Sequence, residues 1–293
     1  VRAGGGNGSV VFRVVGDGTT LWESGVLRAG DPATPVDVDV SGVDVLKLVV
    51  DGGGDGISSD HANWVQAAFD VDGKLPEAVG IPRLKELPPV TARVPTREIE
   101  LFNGRDLDNW LADLPKGGAK EDVWTVRDGI LYCTGRPGGH LIGDTSWKDY
   151  RLVVEWRWPP GGEGGNNGVL VHTSDLHVLA KHFPRSIEVQ LMAGNAGDFW
   201  VIGEDIQVPD MDTRREGRHI WNLTDGAVRP IGEWNRMIVH AKGDTLDVWV
   251  NEVLVNRGHG STAREGRITL QSEGAPCQFR RVTIMPLPAA GER

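Results

Sequence analysis

Short apolar runs that alternate with polar residues, each closed by a glycine-rich turn, recur along this chain from Val10 to Met285. No 3.6-residue period persists anywhere. A strand turns successive side chains to opposite faces, so alternation buries one face and leaves the other polar. Many such runs with short turns between them exclude a helical bundle and predict an all-β, antiparallel protein. The 40 glycines fall mostly where those turns are needed.

The first region, residues 1–70, reads as short strands. Val10–Val15 leads into the turn Gly16-Asp17-Gly18, then Leu21–Ser24 follows. Val36-Asp37-Val38-Asp39-Val40 alternates strictly and predicts a half-buried strand, and Leu46–Val50 comes next. Asp51, Asp55 and Asp60 lie among glycines; they read as a solvated acidic turn, since their spacing is not that of a calcium-binding EF-hand loop. Residues 71–97 change character. Pro76, Pro82, Pro88, Pro89 and Pro95 interrupt regular structure and predict a linker lying along a neighbouring surface.

Alternation returns over residues 98–287. An Arg127-Asp128-Gly129 turn separates two apolar runs, a hairpin signal. Leu152, Val154, Trp156 and Trp158 share one face of the next strand. Further runs at 168–173, 186–191, 236–240, 245–250, 268–271 and 279–285 predict an antiparallel β-sandwich of jelly-roll type.

Composition narrows the function. A net charge of −10 without a basic run argues against nucleic acid as partner. No apolar stretch has the length of a membrane span. Cys133 and Cys277 are too few for a disulfide framework or a cysteine-based metal site, and read as buried thiols. Eleven tryptophans against two tyrosines suit a carbohydrate protein, because indole faces stack on sugar C–H faces, although most must be core residues.

The strand Ser186-Ile187-Glu188-Val189-Gln190-Leu191 carries the chemistry. Ile187, Val189 and Leu191 point to one face, and Glu188 and Gln190 project together from the other. The polar, aromatic loop Gly194-Asn195-Ala196-Gly197-Asp198-Phe199-Trp200 follows. Upstream, His172 is expected to share a face with Leu170 and Gly168, where it can serve as base, acid or metal ligand. His177 and His182 lie in an expected polar loop before Glu188. Their spacing fits no standard zinc motif, but a divalent metal among them and Glu188 is one reading. Gln190, Asn167, His182, Asp198 and Gln271 are candidate sugar-hydroxyl binders, and Trp200 the candidate stacking platform.

Several motifs occur in order: Leu101-Phe102-Asn103-Gly104-Arg105-Asp106-Leu107 with Trp110 and Trp124, Asn166-Asn167-Gly168-Val169, Ile187-Glu188-Val189-Gln190, Gly232-Glu233-Trp234-Asn235, Val250-Asn251-Glu252, and Ile268–Gly274 running into Phe279-Arg280-Arg281. Together they resemble the 3-keto-disaccharide hydrolase family over about residues 98–287. The resemblance implies a concanavalin A-like jelly roll, a bacterial enzyme and a saccharide substrate. That substrate class suggests a periplasmic or secreted site. The first region resembles the second half of the NPCBM type of carbohydrate-binding module. Its carriers are Gly8–Phe12, Gly30-Asp31-Pro32, Pro35–Val43, Leu48–Asp51 and Asp60-His61-Ala62-Asn63-Trp64.

A conventional glycosidase needs two carboxylates. Concanavalin A-like glucanases place theirs along one strand in a Glu-x-Asp-x-x-Glu pattern, and the corresponding positions here are Glu188, Gln190 and Ala193. One acid remains, so a second would have to come from a loop such as that of Asp198 or Glu204-Asp205. A single base suffices by another route. A ketone at sugar C3 acidifies the C2 proton; a base removes it, the C1 oxygen leaves, and water adds to the unsaturated sugar. Glu188 is the expected base, with His172 as its catalytic companion. No redox cofactor is expected, since an upstream sugar 3-dehydrogenase would have made the ketone. A lectin-like domain without catalysis and an endo-glucanase with a loop-borne acid are the rival readings.

Overall fold

The computed structural model describes residues 2–4, 9–52, 61–64, 68, 70, 84–114 and 117–289. The chain divides into two units, Val1–Ala78 and Val79–Arg293.

In the first unit, β1 (Arg2–Gly4) pairs with β5 (His61–Asn63). β2 (Ser9–Gly16) lies between β3 (Thr19–Arg28) and β4 (Leu46–Gly52). Asp17 and Gly18 both have positive φ, the geometry of the tight hairpin turn that joins β2 to β3. A small core forms where Val10 and Phe12 meet Trp22, Leu27, Val36 and Trp64, with Phe12 edge-on to Trp64 at 5.1 Å. The strand expected at Val36–Val40 does not form. Its alternation turns Val36 to this core, but no neighbouring strand edge satisfies its backbone among the described residues. Asp55 and Asp60 lie outside the described residues.

The second unit is an antiparallel jelly-roll sandwich. Its strands are β6 (Ile99–Glu100), β7 (Trp110–Asp113), β8 (Trp124–Arg127), β9 (Ile130–Cys133), β10 (Gly139–Trp147), β11 (Tyr150–Arg157) and β12 (Gly168–Leu179). There follow β13 (Phe183–Gln190), β14 (Phe199–Ile202), β15 (Arg215–Glu216), β16 (His219–Ile220), β17 (Asn235–Lys242), β18 (Thr245–Val250), β19 (Val253–Gly258), β20 (Gly266–Ser272) and β21 (Cys277–Pro286). One sheet runs β15-β16-β14-β13-β12-β20-β10-β7, the other β19-β18-β17-β11-β21-β9-β8 with β6 on β21.

The faces between the sheets make the core. Val169, Val171, Ile187, Val189, Val201 and Leu270 from the first sheet meet Leu152, Val154, Trp156, Val239, Val248 and Ile284 from the second. Each set is every second residue of its strand, as alternation requires. Cys133 and Cys277 are free, buried and directly opposite one another on β9 and β21. The expected linker is described only from residue 84 on. There Arg93 exchanges backbone bonds of 2.9 and 3.0 Å with Ser146 and Lys148, so it lies on the second unit's surface.

The segment between Thr173 and Ser186, expected as a loop, continues the β12–β13 hairpin instead. Register shifts between Val171 and Asp175 and between Asp175 and Leu179 bend it, and His172, His177, Ala180 and Lys181 take positive φ. His177 then reaches Asp113 on β7, three strands away. To do so the hairpin passes over β20 and β10, where Thr269, Ile142 and His140 are fully buried on the sheet's outer side. Glu188 and Trp200 lie on the other half of that face.

Candidate active site

Cross-strand partners point to the same side of a sheet, so the register defines rows on the outer face. One row reads Glu216, His219, Trp200, Glu188, Leu170, Thr269 and Ile142. The next contains Gln190 opposite Gly168, and Gln271 opposite His140, itself opposite Asp113. Gln271 stands one step beyond the Val169–Leu270 pair, which brings it beside Gly168.

Glu188 leans from its own row onto Gly168, where a Cβ would fall 2.2 Å from its Oε1. The residue is 4 % exposed and Oε1 has no hydrogen-bond partner. Burial first, and the charge of Glu273 second, push its pKa up to about 8, against a smaller opposing effect from Arg218. Glu273 shares the face of Gln271 two residues earlier. Its Oε2 accepts a 2.7 Å bond from Asn166 Nδ2, and burial raises its pKa as well. The Gln271 amide is 1 % exposed and lies beside the Glu273 carboxylate, where it partly offsets the effect of burial on that acid. Exposed Arg218 stands 5.3 Å over the Trp200 ring and acts electrostatically on both carboxylates. The group therefore offers a proton acceptor tuned toward neutral pH, a second acid, an amide and a cation.

Asp198, expected to bind sugar, turns instead to protein. It is 1 % exposed and bonds His219 Nε2 at 2.6 Å and the Asn222 N–H at 2.8 Å. The His219 ring lies flat on Trp200, with centroids 4.4 Å apart, and Trp221 stands 4.8 Å off. Trp200, expected as a sugar platform, thus already stacks on an imidazole. Gln190 folds back, its Oε1 accepting from the Leu191 and Met192 N–H groups at 3.0 and 3.1 Å.

Two expectations need correction. His172 does not share the face of Gly168 and Leu170. Leu170 pairs with Thr269, but Thr173 pairs with Arg267, and this irregularity with a φ of 58° turns His172 toward the inter-sheet core. There its Nδ1 bonds Ala263 O at 3.0 Å, its ring stands 5.6 Å from Tyr150, and burial lowers its pKa to about 4. Asn167, by the same alternation that turns Gly168 to the outer face, points inward. It is fully buried beside Cys133 and away from the hydroxyl-binding face.

His182 joins the roof over the far half of the sheet, 5.3 Å from His140 by ring centroids. There His177 Nε2 bonds Asp113 at 2.9 Å, and His140 Nδ1 is 3.8 Å from the same carboxylate. The expected grouping of His172, His177 and His182 with Glu188 therefore does not form. Among the described residues no group of three or more His, Cys, Asp or Glu side chains is arranged to hold a metal ion.

Sequence reasoning missed Glu273, Arg218 and His219. Glu273 was findable, because it follows Gln271 by two residues at the end of β20, where extended backbone keeps both on one face. Arg218 and His219 carry no such signal, since only the order of strands brings them to Trp200.

A jelly-roll sandwich with two carboxylates, amides and indoles on one outer face defines a carbohydrate-active protein. The chain belongs to the family described as the 3-keto-alpha-glucoside-1,2-lyase-like domain, which matches residues 97–285. Residues 2–70 match the NPCBM/NEW2 domain. A 3-keto-disaccharide hydrolase of Bacteroides thetaiotaomicron is 22 % identical over 64 % of this chain and 78 % of its own length. The alpha-1,3-galactosidase B of Akkermansia muciniphila is 41 % identical over 70 residues, 23 % of this chain and 9 % of that protein. Among solved structures, the kappa-carrageenase of Pseudoalteromonas carrageenovora aligns with a TM-score of 0.47 at 14 % identity, over 64 % of this chain and 92 % of that one.

Proposed function

We propose that this protein cleaves glycosidic bonds in 3-keto-glycosides, with Glu188 as the base that removes the C2 proton. The observation that carries this reading is the Glu188 carboxylate itself. It rests on Gly168 with an unpartnered oxygen and a pKa near 8, the poise a base needs at neutral pH. Arg218 supplies positive charge for the enolate oxygen at C3, and Gln271 an amide for a hydroxyl. Water adding to the unsaturated sugar completes hydrolysis. The family match and the bacterial relative named 3-keto-disaccharide hydrolase support the substrate class. An oxidoreductase that makes the ketone would act first, and the first unit would hold saccharide near the enzyme.

Glu273 favours a second reading. Two neighbouring carboxylates with raised pKa values also suit a conventional glycosidase, with Glu188 as its acid. Incubation with trehalose, a β-glucan and 3-keto-trehalose separates the readings. Sugar release from the keto substrate alone is expected. Release from β-glucan would replace the first reading by the second, and binding without release would leave a lectin.

A further inference from the structure

We propose that His219, held by Asp198, donates the proton that the departing glycosidic oxygen needs, an inference that rests on the elimination reading above. The geometry is that of an imidazole built for proton transfer. Asp198 is buried and fixed from several sides, by the Asn222 N–H at 2.8 Å, by Asn195 Nδ2 at 3.4 Å and by His219 Nε2 at 2.6 Å. A buried carboxylate on one ring nitrogen sets the tautomer and leaves the other, Nδ1, for substrate. Trp200 fixes the ring plane, at an interplanar angle of 5°. A side chain so constrained by a carboxylate and two indoles has lost the rotamer freedom of a surface histidine. Its ring nevertheless remains 17 % exposed, where the carboxylate that holds it is 1 % exposed.

Its place in the row supplies the distance. His219 is opposite Trp200, and Trp200 is opposite Glu188. Strands about 4.8 Å apart put the two backbone positions about 10 Å from each other on one face. A pyranose lying over the edge of Trp200, the residue between them, would bridge the two groups, with its C2 proton toward the Glu188 carboxylate on the β12 side and its C1 oxygen toward Nδ1 of His219.

The step balances. Glu188 takes the C2 proton, and the C–H electron pair becomes the C1–C2 double bond. The C1–O bond breaks, its pair stays on oxygen, and the His219 imidazolium proton neutralises that oxygen. In hydration, neutral His219 takes a proton from water as the oxygen adds at C1, and Glu188 returns its proton to C2. Both side chains end as they began.

The test compares leaving groups. Wild type, His219→Gln and Asp198→Asn are assayed on 4-nitrophenyl 3-keto-glucoside, whose phenolate leaves unaided, and on methyl 3-keto-glucoside, whose alkoxide does not. Loss of an acid costs about 100-fold or more on the poor leaving group. His219→Gln should show that loss on the methyl glycoside and under about 10-fold on the nitrophenyl one. Asp198→Asn should shift the same ratio in the same direction, with thermal melting to show that it folds. Equal losses on both substrates, or none on either, overturn the assignment of His219 while leaving the elimination reading intact. No release from either keto-glucoside by wild type overturns both.

Discussion

Glu188 Oε1 lies 2.2 Å from where a side chain on Gly168 would have to begin. The carboxylate of β13 occupies the space that glycine leaves on β12, and two adjacent strands thus share one functional group. The contact buries the acid on the outer face of the sheet rather than in the hydrophobic core. It also brings it toward Gln271, two rows of chemistry converging on one position.

Gly168→Ala therefore acts on Glu188 directly. The new methyl cannot coexist with Oε1, so the carboxylate must move by an ångström or more. A shift of that size costs about 100-fold in rate. Overpacking costs about 1–3 kcal/mol in stability. Turnover of 3-keto-trehalose together with a thermal melt measures both, and unchanged turnover would show that the resting place of Glu188 is unimportant.

The pH dependence follows from the same burial. Glu188 must be ionised to accept a proton, and its pKa lies near 8. The kcat/KM for 4-nitrophenyl 3-keto-glucoside, whose leaving group needs no acid, should climb about tenfold per pH unit below that value and level off above it. A plateau already reached at pH 6 would mean that another group is the base.

Stability should move the opposite way. The folded pKa of about 8 lies above the ordinary value of 4.5, so the folded state holds the extra proton between those limits. Relative to Glu188→Gln, the wild type is most stable below pH 4.5 and loses ground as pH rises to about 8, by about 1.4 kcal/mol per unit at most. Melting both proteins at pH 4.5 and 8.5 should show the variant gaining at the higher pH while turnover is abolished. A gap in melting temperature that ignores pH would contradict the buried charge.

His172 offers the contrast. Its ring fills core beside Tyr150 and Ala263, so His172→Ala should cost about 2–4 kcal/mol in denaturant unfolding. Its folded fraction should keep the wild-type kcat. A kcat reduced tenfold or more at unchanged stability would return this histidine to the site.

Much of the sandwich was legible because alternation is a local property. Ile187, Val189 and Leu191 announce a buried face, and Glu188 and Gln190 the opposite one. Asp128-Gly129 announces its hairpin, and both residues take positive φ. Reading failed where the period slipped. Counting in twos from Gly168 put His172 beside Glu188, but one irregularity after Leu170 reversed it. Val36–Val40 failed differently, since alternation specifies which side chains are buried and not whether a partner strand exists.

The linear chain by itself determined most of the sandwich's strands, their inward faces and the outward acid, since each depends on neighbours one or two residues away. Only the tertiary structure decided that Glu273 and Arg218 act electrostatically on Glu188, that Asp198 holds His219, and that the β12–β13 hairpin roofs half the sheet. Those relations join residues tens of positions apart, and they follow from strand order and register, which no local pattern encodes.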